Sequence, residues 1–218
     1  MELAQYIEHT LLKIDATKRD VDNLLNEART YNFKGVCVNG ANVKYAKESL
    51  KDTNIKVVSV VGFPLGACIS DVKAYETIRA IKDGADEIDM VINVQALKDG
   101  DYQYVQKDIE TVKAACGVKP LKVIIETDVL SKEEIQKACE IIVNAKADFA
   151  KTSTGFIKNG VGAKVEDVKL MCEVLKDTGV QIKASGGINS REKALALVAM
   201  GASRLGTSSG VKLVEKIG

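Results

Sequence analysis

The stretch ADEIDMVIN, residues 85–93, alternates in the way a strand does. Successive strand side chains point to opposite faces, so Glu87, Asp89 and Val91 share one face and Ile88, Met90 and Ile92 the other. The isoleucine–methionine face predicts packing against helices. The other face carries carboxylates, with Asp89 deepest. A carboxylate in mid-strand is costly unless paired, so a lysine partner is expected. A structural ion pair is the alternative meaning of the same residues.

Working outward from this strand, helical and extended patterns alternate. Before it, Ala74, Tyr75, Ile78 and Ile81 form one apolar helical stripe; after it, Val105, Ile109 and Val112 form another. Further strands are read at VCV (36–38), VVSVV (57–61), VIIE (123–126), DFAKTS (148–153), QIKAS (181–185) and SRLGT (203–207). Helical stripes around Leu24, Ile135, Val168 and Leu197 separate them. Thr17 with Asp20, and Ser131 with Glu134, have capping-box form, and Ser70 and Ser190 are placed to cap two more helices. Counting Ile7 to Leu12 as the first strand gives about eight strand–helix units. That number predicts a single (β/α)8 TIM barrel spanning residues 1–218, with a doubly wound open sheet as the competing topology.

Composition agrees with one ordinary globular domain: 218 residues, 46% hydrophobic and 28% charged. A net charge of +1 gives no pull toward nucleic acid or an anionic membrane, so the expected partner is a small molecule. Five cysteines, an odd number without a C-x-x-C pair, predict reduced thiols rather than a disulfide framework or a cysteine zinc site. The sequence MELAQYIEHT lacks the basic and apolar regions of a signal peptide, and no apolar run reaches the ~18 residues of a membrane span. A cytoplasmic protein is expected.

In a barrel of this kind the chemistry sits at the C-terminal ends of the strands. That rule sorts the lysines. Lys122 opens its strand and is assigned to the stabilising end, whereas Lys151 in DFAKTSTG and Lys183 in QIKASGG are placed to point into the barrel mouth. Lysine is almost never fully buried, so two of them inside neighbouring apolar strands depart from the usual surface role. Two crowded, partly desolvated ammonium groups should each lower the other's pKa, leaving one neutral amine able to attack a carbonyl. Which of the two attacks is open at this level. Three turns rich in glycine and hydroxyls follow the last three strands: KTSTG (151–155), ASGG (184–187) and GTSSG (206–210). Together they read as an anion cradle on one rim. His9, the only histidine, disfavours a catalytic triad or a multi-histidine metal site, and so a zinc-dependent aldolase. Cys37, among apolar neighbours, reads as core rather than nucleophile.

With these residues in view, the chain resembles the deoxyribose-phosphate aldolases from end to end. VVGFPLG, GADEIDMVIN, KVIIET, ADFAKTSTGF, VEDVKLM, KASGGI and RLGTSSG are similar to that family's motifs, in the family's order. The resemblance implies reversible cleavage of 2-deoxy-D-ribose 5-phosphate to acetaldehyde and D-glyceraldehyde 3-phosphate, without metal or organic cofactor. By matching motifs, Lys151 would be the Schiff-base nucleophile, Lys183 the lysine that perturbs it and Asp89 the proton relay. Gly155, Gly186, Gly187, Ser208 and Ser209 would hold the phosphate, with Glu8, Cys37 and Thr152 as further substrate-side candidates. Self-association as a dimer or tetramer is also expected. The chain departs from the pattern in reading IEHTLL where many members read IDHTLL, so Glu8 replaces an aspartate. Asn189 stands where many have arginine, removing a phosphate cation, and the chain ends at LVEKIG without a longer tyrosine-ended tail. The rivals are another imine-forming sugar-phosphate aldolase or transaldolase, an isomerase using Asp89 as base, and a non-catalytic barrel that binds phosphorylated metabolites.

Overall fold

The computed structural model describes residues 2–215; Met1 and the end of the LVEKIG segment lie outside the described residues. Eight parallel strands close into a barrel in sequence order: β1 (Ile7–Leu11), β2 (Gly35–Val38), β3 (Lys56–Val61), β4 (Glu87–Val91), β5 (Leu121–Ile124), β6 (Phe149–Lys151), β7 (Gln181–Ser185) and β8 (Arg204–Thr207). Helices α1 (Lys18–Thr30), α2 (Val43–Ser49), α3 (Ser70–Lys82), α4 (Val94–Lys98), α5 (Tyr102–Cys116), α6 (Lys132–Asn144), α7 (Val165–Leu175), α8 (Arg191–Met200) and α9 (Gly210–Val214) form the outer layer. The expected TIM barrel is therefore observed, and the open sheet is not.

The main core lies between sheet and helices. Ile88, Met90 and Ile92 from the β4 segment meet Val105, Ile109 and Val112 of α5, all of them buried. Each such side chain contributes about 1.5–3 kcal/mol through burial. The two capping boxes form as read: Thr17 accepts from the Asp20 amide and Ser131 from the Glu134 amide. Ser190 caps α8 by accepting from the Lys193 amide. Ser70 does not cap: α3 begins one residue early, with Ile69 in the cap position and no side-chain bond. No helix among the described residues is long and apolar enough to cross a membrane.

The barrel interior is divided. Around β2 and β3 it is apolar, filled by Leu12, Cys37, Val58 and Val60. On the other side it is filled by charge. The chemistry resides there.

Candidate active site in the barrel mouth

Parallel register sets the heights of the charged residues. Lys151 pairs with Lys183 across β6 and β7, and Asp89 pairs with Lys122 across β4 and β5. The side chains then converge on Asp89, which is fully buried. Lys151 Nζ and Lys183 Nζ both donate to Asp89 Oδ2, each at 2.7 Å, while Lys122 Nζ donates to Oδ1 at 3.0 Å. Sharing one oxygen holds the first two nitrogens within twice 2.7 Å of each other. Lys183 also donates to Glu8, and Lys122 lies 2.5 Å from Glu87 and 3.6 Å from Glu8. Arg204 Nε completes the cluster 3.6 Å from Glu8 Oε1.

The electrostatics follow from burial set against this pairing. Burial works to raise the pKa of Asp89, but the ammonium groups of Lys122, Lys151 and Lys183 overcome it and hold the carboxyl well below its usual range. Glu8 is lowered in the same way, burial opposing and Lys122 and Lys183 prevailing. Burial disfavours the Lys183 and Lys122 ammonium groups, yet Asp89 and Glu8 raise both above the ordinary lysine value. This corrects two sequence expectations. Lys183 is not lowered by its neighbour, because two buried carboxylates outweigh one buried cation. Lys122 is not confined to the stabilising end of its strand, because its long side chain carries the charge to Asp89.

Above the cluster opens a pocket of about 350 Å³. Lys151 lines it, whereas Lys183, Lys122 and Asp89 do not, so only one lysine of the network is presented to a ligand. Gly155, Gly186, Gly187, Ser208 and Ser209 line the same pocket. Gly187, at φ +62°, has no alternative residue: a Cβ there would sit 2.1 Å from the Val161 carbonyl oxygen. A larger depression of about 680 Å³ between α5 and α6 lies on the outer wall, remote from these lysines.

The remaining sequence candidates fall away from the pocket surface. Thr152 is an internal latch, donating to the Ser185 carbonyl at 3.1 Å and accepting from the Ser185 amide at 3.0 Å. Cys37 is buried in the apolar half of the interior, and burial pushes its thiol up. Glu8 lies beneath the pocket as the second carboxylate on Lys183. His9 is held within the fold, 2.6 Å from Glu27 and tilted against Phe33.

Three residues escaped sequence reading. Lys13, just past the end of β1, lines the pocket beside Asn189; the strand-end rule that selected Lys151 could have found it. Lys193 Nζ hangs over the glycine turn that follows β7, 3.4 Å from where a Gly187 Cβ would stand. Glu126 is buried in a left-handed turn at φ +64°, accepting from the Thr154 amide and hydroxyl, and burial pushes its carboxyl pKa up. No sequence pattern announces that turn.

Comparison with known proteins is consistent with this geometry. Residues 3–215 match the family model described as DeoC/LacD family aldolase. The deoxyribose-phosphate aldolase of Finegoldia magna is 56% identical over 215 residues, covering 99% of this chain and all of the relative. That of Clostridium botulinum is 54% identical, with 99% and 100% covered. The tetrameric deoxyribose phosphate aldolase of Aeropyrum pernix superposes with a TM-score of 0.86 at 32% identity, covering 97% of this chain and 89% of that one. The chain belongs to the DeoC/LacD aldolase family.

Proposed function

We propose that residues 1–218 form one aldolase domain that cleaves 2-deoxy-D-ribose 5-phosphate reversibly to D-glyceraldehyde 3-phosphate and acetaldehyde through an imine on Lys151, in the cytoplasm and as a homo-oligomer. The observation that carries the reading is that Lys151 alone brings an amine from the buried charge cluster to the floor of the pocket. In that cluster Lys122, Lys151, Lys183 and Arg204 face Glu8, Glu87 and Asp89, so cations outnumber anions by one. Losing one proton therefore neutralises the cluster. Lys151 is the member of the cluster that reaches the pocket, whereas two carboxylates hold Lys183 charged.

The neutral Lys151 amine attacks the aldehyde carbon of the open-chain sugar. Asp89, through a water shared with Lys183, helps expel hydroxide as water from the carbinolamine and then takes the proton from the C3 hydroxyl. The C2–C3 bond breaks, its electron pair passing into the iminium to give an enamine, and glyceraldehyde 3-phosphate leaves. Protonation and hydrolysis of the enamine release acetaldehyde and restore the lysine. Phosphate held by Gly155, Gly186, Gly187, Ser208 and Ser209 positions the reacting carbons without joining the bond breaking.

The test is borohydride reduction in the presence of acetaldehyde, followed by peptide mass mapping. An ethyl adduct on Lys151, together with acetaldehyde release from 2-deoxyribose 5-phosphate and none from ribose 5-phosphate, is expected. An adduct on another lysine, or none, would overturn the assignment.

A further inference from the structure

The turn between β5 and α6 carries two carboxylates that the aldol steps do not use, and both reach into the next loop. Residues 152–164, between β6 and α7, form no helix or strand, yet they supply Thr154, Gly155 and Phe156 to the pocket. The outgoing limb of this loop is gripped by Glu126, which accepts from the Thr154 amide at 3.2 Å and from the Thr154 hydroxyl. That hydroxyl accepts in turn from the Phe156 amide at 3.1 Å, so its hydrogen goes to the carboxylate and the 154–156 turn is closed. The returning limb is gripped by Asp128, which accepts from the Val161 amide at 3.2 Å and the Gly162 amide at 2.7 Å.

Both limbs close on Gly186. A Cβ built there would stand 3.5 Å from the Gly155 Cα and 3.1 Å from the Gly162 Cα, so backbone packs directly on backbone. The Ala163 amide adds bonds to the Ser185 and Gly186 carbonyls at 3.0 and 3.1 Å. Gly155 and Gly186 both line the pocket, and their spacing is set by where the two carboxylates hold the loop. The fold keeps this grip against two unfavourable terms. Glu126 adopts φ +64° and ψ +64°, a left-handed conformation that side chains rarely take, and its carboxyl is buried. Burial pushes that carboxyl pKa up in spite of the Thr154 bonds. A strained backbone persists only where its surroundings over-determine it, and such residues cluster at functional sites. Glu126 does not itself line the pocket, so its effect passes through Thr154.

We infer that Glu126 and Asp128 are positioning residues, which hold the 152–164 loop so that Gly155 meets Gly186 at the spacing a bound phosphate requires. The inference rests on the phosphate reading of these glycines given above and names what sets their geometry. Its test compares KM and kcat for 2-deoxyribose 5-phosphate and for unphosphorylated 2-deoxyribose in Glu126→Gln, Glu126→Gly and Asp128→Asn. Glutamine and asparagine keep the side-chain shape but turn an amide donor toward a backbone N–H. Glycine takes φ +64° without strain, so that variant keeps the turn and removes the carboxylate. Each variant is expected to raise KM for the phosphorylated sugar about 10-fold, the scale of one lost charge-assisted hydrogen bond. KM for 2-deoxyribose and kcat for both sugars should hold, since only phosphate placement is disturbed. Circular dichroism and urea midpoints check folding. An unchanged KM for the phosphorylated sugar, or an equal rise for both sugars, would overturn the inference. A fall in kcat with KM unchanged would also overturn it, moving these carboxylates to the chemistry at Lys151. A wild-type chain whose KM is the same for both sugars would remove the phosphate reading itself along with the clamp.

Discussion

Two buried lysine–aspartate sites in this barrel differ in one respect, and the difference separates structure from chemistry. Between α3 and α5, Lys73 is fully buried and donates to Asp108 and to the Val91 carbonyl at 2.9 Å. One cation meets one anion there, and neither side chain reaches the surface. In the barrel mouth, Asp89 is shared by three ammonium groups, and one of them faces open space. A closed pair offers nothing to a ligand. The open cluster presents one of its amines to a pocket.

Breaking the open cluster gives the largest effect. Lys183→Leu removes the cation that shares Asp89 Oδ2 with Lys151 and leaves Lys151 as the sole partner of that oxygen. Turnover at neutral pH should fall on the order of 10²–10⁴-fold, and borohydride trapping on Lys151 at neutral pH should fall with it. A folded variant with near-normal turnover would remove the surplus-charge argument.

Breaking the closed pair should damage stability and leave chemistry alone. Lys73→Met strands Asp108 as a buried, uncompensated anion, a loss of about 3–5 kcal/mol. The double change Lys73→Met/Asp108→Leu should recover most of it and match or exceed the wild type. Urea midpoints measure both, and kcat of each folded variant should stay at the wild-type value. A drop in kcat for the double variant would show that the two sites are coupled.

How much of this was legible in the sequence depends on the length of the side chain concerned. Strand alternation located every strand, because register depends on backbone period and small apolar groups. It ran too far in β5, where VIIE reads on to residue 126: Ile125 still donates to the Lys151 carbonyl, but Glu126 turns left-handed and leaves the sheet. Asp89, short and mid-strand, was placed correctly as a buried carboxylate in need of a lysine. Lys122 was not, since the position of its Cα says little about where a flexible four-carbon stem delivers its charge. The pKa reasoning failed on Lys183 for a related cause. Sequence placed one carboxylate near it, and the fold brings a second, Glu8, from the far end of the chain.

The acid and alkaline limits of stability sharpen the same comparison. Asp89 and Glu8 have lowered folded-state pKa values, so their stabilisation is present above the ordinary carboxylate range and is lost as pH falls toward the folded values. Lys183 and Lys122 have raised values, so theirs is fully present below the ordinary lysine value of 10.5 and is lost as pH rises beyond it. The wild-type urea midpoint should therefore be flat across neutral pH and fall on both sides. In Lys183→Met the alkaline fall should flatten. An unchanged alkaline limb would place its origin elsewhere.

The smallest effect is expected at the pocket rim, where charge is exposed and solvent screens it. Asn189 supplies no cation to the glycine-rich wall, and Lys13 lines the same pocket beside it. If Lys13 offsets the missing arginine, Lys13→Ala should raise KM for 2-deoxyribose 5-phosphate about 3- to 10-fold, the scale of one charge-assisted contact at a wet site. Since the contact is the same in ground and transition states, kcat should hold. Unphosphorylated 2-deoxyribose serves as the control, because its KM should not move. Asn189→Arg in the Lys13→Ala background should bring the phosphorylated substrate back toward the wild-type KM, and failure to do so would show that the two positions do not serve the same phosphate.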